Sequence, residues 1–155
     1  MKRILLTGMS GVGKSTILSL LRDDHTICID LDETNYVEID PKTGERLISV
    51  DRLVNYIETV SDKHLVLSVC EFDQTLIYPL MNEIILLTAP IEVMKERIDS
   101  RKNNNYGKSR EDWEKIVRDK TEIEPLLEKS TDHILQTDGE LEGIVEKIKS
   151  IIMKP

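Results

Sequence analysis

RILLTGMSGVGKS, residues 3–15, decides the fold. Its first five residues, RILLT, are a short apolar run ending at a glycine, which predicts a buried strand. Residues 8–15, GMSGVGKS, satisfy G-x-x-x-x-G-K-[ST] in full. From about Lys14 a helix is expected, with Ile17, Leu18, Leu20 and Leu21 as its apolar stripe. Strand, glycine-rich turn and helix in that order make a cradle for phosphate. Gly8, Gly11 and Gly13 let the backbone turn tightly and bring several N–H groups onto one anion, and the helix adds the positive end of its dipole. The expected cradle is Gly8, Met9, Ser10, Gly11, Val12, Gly13, Lys14, Ser15 and Thr16, binding ATP or a close relative. Lys14 is expected to reach the β- and γ-phosphates, and the Ser15 hydroxyl to ligate Mg²⁺.

Downstream, short apolar runs alternate with helical patterns. Strands are predicted at Thr26–Ile29, Leu65–Val69, Glu83–Thr88 and His133–Gln136. YVEIDPKTGERLIS, residues 36–49, carries the Pro and Gly of a hairpin turn. Helices are expected over Val50–Ser61, from Pro90 to about Arg101, from Ser109 onward and from Glu140 to Ile152. Ser109 followed by Asp112 resembles a capping box, and Pro125 should kink or divide the helix it opens. The alternation implies an α/β fold, with a parallel sheet covered on both faces, in a single domain spanning residues 1–155.

Two sets of side chains can complete a site around the cradle. Asp30 and Asp32 stand two apart at the end of the second strand, a spacing that sends both to one face. Carboxyl ends of strands are where open α/β sheets bind ligands. Asp30 is assigned to the metal and Asp32 to the base that accepts a hydroxyl proton. The third strand, LVLSV, lacks a terminal Asp, and Glu71 and Asp73 are the carboxylates that could substitute. The second set is basic. Arg97 and Arg101 share a helix face, where like charges repel unless an anion compensates. KNNNYGKSR follows, with Lys102, Lys108 and Arg110, the composition of a mobile cationic segment that closes over a γ-phosphate. Arg118 sits between Glu114 and Glu122 at i±4, where a surface ion pair explains it, and Trp113 reads as structural.

Composition narrows the partners. A net charge of −8 and 4% aromatic content offer neither the basic stripe nor the stacking platform of a nucleic-acid binder. No apolar run approaches the ~20 residues of a membrane span. MKRILLTGMSG lacks the apolar core and cleavage site of a signal peptide, so a cytoplasmic location is expected. Cys28 and Cys70 flank or lie in apolar strands and are expected as buried, reduced thiols.

GMSGVGKS, the Asp30-Leu31-Asp32 triplet and the Arg-rich segment after the fourth strand resemble the small P-loop kinases of the shikimate kinase, gluconate kinase and adenylate kinase group. The resemblance covers nearly the whole chain in order of elements. It implies a P-loop NTPase three-layer α/β/α sandwich, with a five-stranded parallel sheet in the order 2-3-1-4-5. It also implies an acceptor-binding region at about residues 33–62, a lid at about 101–112, and Thr137-Asp138-Gly139 beside the adenine. Asp32 would contact an acceptor hydroxyl, Asp30 would lie near Mg²⁺, and Arg97, Arg101 and Arg110 would serve the lid. The chain departs from its relatives at Val69-Cys70-Glu71, where shikimate kinases carry a glycine run, and it lacks the Asp-Gly-Phe-Pro-like stretch of adenylate kinases.

These features predict a kinase that moves the γ-phosphoryl of ATP·Mg²⁺ to the hydroxyl of a small molecule. A nucleoside monophosphate acceptor is the alternative within the class, and would need Arg46 or Arg52 to hold its phosphate. A nucleotide-binding regulator or slow ATPase is the alternative outside it.

Overall fold

The opening strand, turn and helix form as predicted, with β1 at Arg3–Thr7 and α1 at Lys14–Leu21. The computed structural model of the chain describes residues 1–70 and 73–155. β2 (Thr26–Asp30) leads into a 3-10 turn (Leu31–Glu33), then β3 (Val37–Ile39), β4 (Arg46–Ile48) and α2 (Val50–Thr59). β5 (His64–Val69), a 3-10 segment (Gln74–Leu80) and β6 (Glu83–Thr88) follow, then α3 (Ile91–Ser100) and α4 (Arg110–Glu122). α5 (Glu124–Glu128), β7 (His133–Gln136) and α6 (Leu141–Met153) close the chain.

β1, β2, β5, β6 and β7 make one parallel sheet in the order β2-β5-β1-β6-β7. Numbered among themselves, the five strands stand 2-3-1-4-5, as the resemblance implied. β1 lies at the centre, which is why its sequence is continuously apolar: Ile4, Leu5 and Leu6 are all fully buried. Side-chain alternation deals these residues to two cores. Ile4 and Leu6 join Ile17, Leu21, Met94, Ile98 and Ile148 on the α1/α3/α6 face. Leu5 joins Leu65, Leu67, Leu53 and Ile77 on the other.

The smaller elements follow local chemistry. The hairpin is shorter than the 36–49 stretch suggested, pairing only Val37–Ile39 with Arg46–Ile48, and it stands apart from the main sheet. Ser109 caps α4, its hydroxyl accepting the Asp112 N–H at 3.2 Å. α4 stops at Glu122, and Pro125 sits in the first turn of α5, so the proline divides the helix. Trp113 packs against the α1/α6 core, with Lys95 Nζ 4.9 Å above its ring. Cys28 is buried, which raises its thiol to about 11. Cys70 corrects the sequence reading: β5 ends one residue earlier at Val69, and Cys70 is exposed.

Candidate active site

The cradle lies at the carboxyl end of the central strand. Gly8 has φ +153°, and a Cβ there would come within 2.4 Å of Leu87 O, so the loop starts pressed against β6. The loop ends at Gly13, the N-cap of α1, in the left-handed region at φ 96°. Between them the Met9 and Val12 side chains are buried, leaving their backbone to face the loop. Ser10 is half-buried, while Ser15 and Thr16 are exposed on the first turn of α1. The Lys14 ammonium folds back over the loop, donating to Gly8 O and to Met9 O, the latter at 3.2 Å. A cation at the mouth and a helix N-terminus at the floor attract the same charge, an anion.

Ser15 and Asp30 come together across α1 and β2, with Ser15 Oγ 3.5 Å from Asp30 Oδ2. Burial raises the Asp30 carboxyl above its ordinary 3.8; the Asp32 N–H opposes this, the Asp32 charge adds to it, and the Lys14 charge opposes it. Beside them, Ser68 Oγ on β5 is buried and its hydroxyl also opposes the rise at Asp30. A hydroxyl and a partly buried carboxylate, next to a phosphate cradle, are a donor set suited to Mg²⁺, which would draw the carboxyl into its ionised form. That ion takes one or two protein oxygens and completes its shell with water and phosphate.

The same-face argument for Asp30 and Asp32 is corrected. β2 ends at Asp30, and Leu31, fully buried, starts a 3-10 turn. Asp30 Oδ1 caps that turn by accepting the Asp32 N–H at 3.0 Å. The two carboxylates therefore separate: Asp30 faces Ser15, and Asp32 faces the hairpin, with Arg46 Nη2 3.7 Å from its Oδ1. Asp73 Oδ2 accepts the Ile48 N–H at 2.7 Å and fastens the end of β4, while its Oδ1 is buried without a hydrogen-bond partner among the described residues. Glu71, the other substitute, lies outside the described residues.

The basic residues divide three ways. Arg97 needs no anion to offset its neighbour: its Nη1 donates to Gly11 O at 3.4 Å, Val12 O at 3.2 Å and Thr137 Oγ1 at 3.1 Å, and its Nη2 donates to Thr137 O. Arg101 reaches the cradle rim, donating to Ser10 Oγ at 3.3 Å, and its other bonds hold Asn104 O and Tyr106 O of the segment after α3. Gly107, at φ +90°, ends that segment, where a Cβ would sit 2.8 Å from Ile116 and 3.0 Å from Ile98. Arg110 is not gathered with them: it is exposed and paired with Glu114 at 2.9 Å, one turn along α4. Glu114 is thereby taken from Arg118, beside which the sequence had set it.

Two contributors went unread in the sequence. Gln74 is buried, accepts the Thr7 hydroxyl at 2.9 Å and donates to Tyr78 Oη at 2.8 Å, bracing the last residue before the cradle. Glu124 is buried at the end of β6, accepting from Thr88 Oγ1 and from Lys120 at 3.2 Å. The i,i+4 spacing of Lys120 and Glu124 was a readable signal; Gln74, in an irregular segment, offered none.

A parallel sheet in this order, with a glycine loop and lysine at the end of its central strand, is a P-loop nucleotide-binding fold of the small-kinase type. Residues 4–126 match the family described as AAA domain, and the chain belongs to it. A curated relative from Methanocaldococcus jannaschii, named "Putative adenylate kinase", is 32% identical over 105 residues, covering 64% of this chain. The match spans 58% of that relative's length, less than two thirds. Among solved structures, shikimate kinase from Bacteroides thetaiotaomicron superposes with TM-score 0.66 at 18% identity over 99% of each chain. Shikimate kinase from Acinetobacter baumannii, in complex with shikimate, gives 0.65 at 21% identity, covering 99% of this chain and 93% of that one. A gluconokinase from Sinorhizobium meliloti 1021 gives 0.58 at 18%, covering 97% and 91%. At these identities the structures share the fold. No helix among the described residues is long and apolar enough to cross a membrane.

Proposed function

We propose that the chain is an ATP-dependent kinase that transfers the γ-phosphoryl to a hydroxyl of a small molecule. The observation that carries this reading is the split of the two carboxylates around the cradle: Asp30 beside Ser15, Asp32 turned toward the hairpin. An ATPase needs the first; a hydroxyl acceptor needs the second. In this reading the loop N–H groups and Lys14 hold the phosphates, and Ser15 with Asp30 holds Mg²⁺. When bound, the ion neutralises charge on the β- and γ-oxygens. Asp32 orients the acceptor hydroxyl and takes its proton, and Arg46, 3.7 Å from its Oδ1, fixes where that carboxylate stands.

The acceptor binds over residues 33–62, and the 101–112 segment acts as the lid. Arg101, already at Ser10, lies nearest the phosphates, and Arg110 reaches them only if the segment closes. Thr137-Asp138-Gly139 lies beside the base. A nucleoside monophosphate acceptor is the second reading, favoured by the name of the M. jannaschii relative. Against it, Arg46 engages Asp32, and Arg52 engages Asn35 O and Glu38, so each guanidinium expected on an acceptor phosphate already has protein oxygens.

ADP release measured across a panel of hydroxyl metabolites and nucleoside monophosphates tests the reading. Asp32→Asn should lower kcat about 10²-fold or more on a hydroxyl acceptor and change little on a phosphate acceptor. Tight ATP binding with no acceptor-dependent ADP release would replace the kinase by a nucleotide-binding regulator.

A further inference from the structure

The cradle has a back as well as a front, and the back is where Arg97 and Thr137 sit. In a trans peptide the C=O and the next N–H point in opposite directions. Whatever grips the carbonyls of Gly11 and Val12 therefore aims the N–H groups of Val12 and Gly13 the other way. Two groups grip them. The Arg97 guanidinium donates to both carbonyls, at 3.4 and 3.2 Å. The Thr137 hydroxyl donates to Val12 O at 2.7 Å, which occupies both lone pairs of that oxygen. The Val12 N–H is spent locally on Met9 O at 3.4 Å. The Gly13 N–H is the one that the Val12 peptide leaves pointing into the loop.

The gripping groups are themselves fixed. Thr137 is fully buried, its N–H bonded to Thr88 O at 2.8 Å and its hydroxyl receiving Arg97 Nη1 at 3.1 Å. Arg97 Nη2 closes the link on Thr137 O. A half-buried guanidinium has thus been given only neutral oxygens among its hydrogen-bond partners, four bonds on two segments 125 residues apart. Asp138 and Glu96 act on its charge from nearby, but neither carboxylate takes one of these four bonds. Carbonyls are the partners that a cation needs when its task is to orient peptide dipoles.

We propose that Arg97 and Thr137 are positioning residues, which pre-aim the phosphate-binding N–H of Gly13 from behind and lock the cradle to the β7–α6 loop. This rests on the kinase reading for the identity of the anion, and it separates Arg97 from Arg101: Arg97 touches no phosphate, whereas Arg101 stands at the rim. The balance of charge is consistent. The cradle draws its positive potential from aligned peptides, and a cation on their carbonyl side reinforces that alignment.

The test is binding of ADP, ATP and inorganic tripolyphosphate by calorimetry to the unaltered chain and to Arg97→Lys, Thr137→Val and Thr137→Ser. Lysine keeps the charge and loses the fork; valine keeps the shape and loses the hydroxyl. Arg97→Lys and Thr137→Val should each weaken all three ligands by the same factor, roughly tenfold, the loss of one charge-assisted or fully buried hydrogen bond. Thr137→Ser should restore tight binding. Unchanged ADP affinity with reduced kcat would put Arg97 on the transferred phosphoryl and overturn the proposal. Weakened ADP with unchanged tripolyphosphate would put the pair on the nucleoside and overturn it equally. So would a lower Tm with all three affinities intact, which is the mark of a merely structural link. If Arg97→Lys fails to fold, the Thr137 pair carries the same comparison on the same acceptor, Val12 O. Failure of the unaltered chain to bind any of the three would overturn the kinase reading together with this one. Normal binding with unresponsive variants would remove this one alone.

Discussion

The two sides of the site are built to different tolerances. On the phosphate side, a Cβ added at Gly8, Gly11 or Gly107 meets an atom at 2.4, 3.0 or 2.8 Å, and the carbonyls of the loop are gripped by side chains from α3 and the β7–α6 loop. On the hairpin side, a Cβ at Gly44 meets nothing within 4 Å, Ile39 is 70% exposed, and the hairpin stands outside the main sheet. Ile48 N–H to Asp73, Arg52 to Glu38 and Arg46 to Asp32 are among the bonds that hold it. A surface that must present N–H groups to one invariant ligand is held by packing on every side. In the kinase reading, the surface that would select an acceptor is the one held at its ends, where its chemistry is free to vary.

The largest test of this contrast is Lys14→Ala. Removing the cation at the mouth should cost about 10²–10³-fold in turnover, read as ADP release, because it acts on the charge that develops on the phosphates. Retained turnover would break the phosphate side of the comparison outright. Next comes a matched pair of glycines. Gly8→Ala drives a methyl into Leu87 O and should lower stability by about 3 kcal/mol in thermal or urea unfolding. Gly44→Ala, also at positive φ but in open space, should cost about 1 kcal/mol, the backbone term alone. Equal costs would mean that the two sides are equally packed.

The smallest effect sits at the boundary, on Asp30, and has the opposite sign. Its carboxyl is raised above 3.8 by burial, so the folded state holds its proton more tightly than the unfolded state. Stability therefore falls as pH rises from 3.8 through the elevated folded value, and the penalty stands above it. Asp30→Asn keeps an oxygen for the Asp32 N–H and deletes the penalty. Without Mg²⁺ it should melt slightly higher than the unaltered chain at pH 7, with the gap closing below pH ~4. The same variant should lose the further stabilisation that Mg²⁺ with nucleotide confers. A lower melting temperature at neutral pH would remove Asp30 from the buried position that the metal assignment requires.

What could be read in the sequence follows the same division. β1, the cradle and α1 were legible because three periodicities meet there: an apolar run, glycines at fixed offsets and a helical stripe, each dictated by backbone geometry. Ser109 and Pro125 were legible for the same reason, since a cap and a missing N–H act within one turn. Asp32 was misplaced because the two-residue period holds only while the strand continues, and the burial of Leu31 in a 3-10 turn ended it. Arg97 was read as a lid group because its partners are backbone carbonyls 85 and 86 residues away, which no side-chain pattern reports. Cys70 was taken for a core thiol because its neighbours are apolar, although the strand stops one residue before it. Local rules located what local forces hold, and the long-range hydrogen bonds at the back of the loop left no trace in spacing.

Gly107 sets a limit on the lid. The chain is fastened at Arg101, whose guanidinium grips Ser10 and Tyr106, and again at Gly107, wedged between Ile98 and Ile116. The short loop between those anchors can swing by itself, whereas closing the whole 101–112 segment with Arg110 needs the anchors released. Loops of this kind rearrange in nanoseconds to microseconds, far faster than the roughly 1–100 turnovers per second of kinases. In the kinase reading, access to the phosphates would then be paced by whatever loosens the anchors, and that clock would lie in the packing under a single glycine.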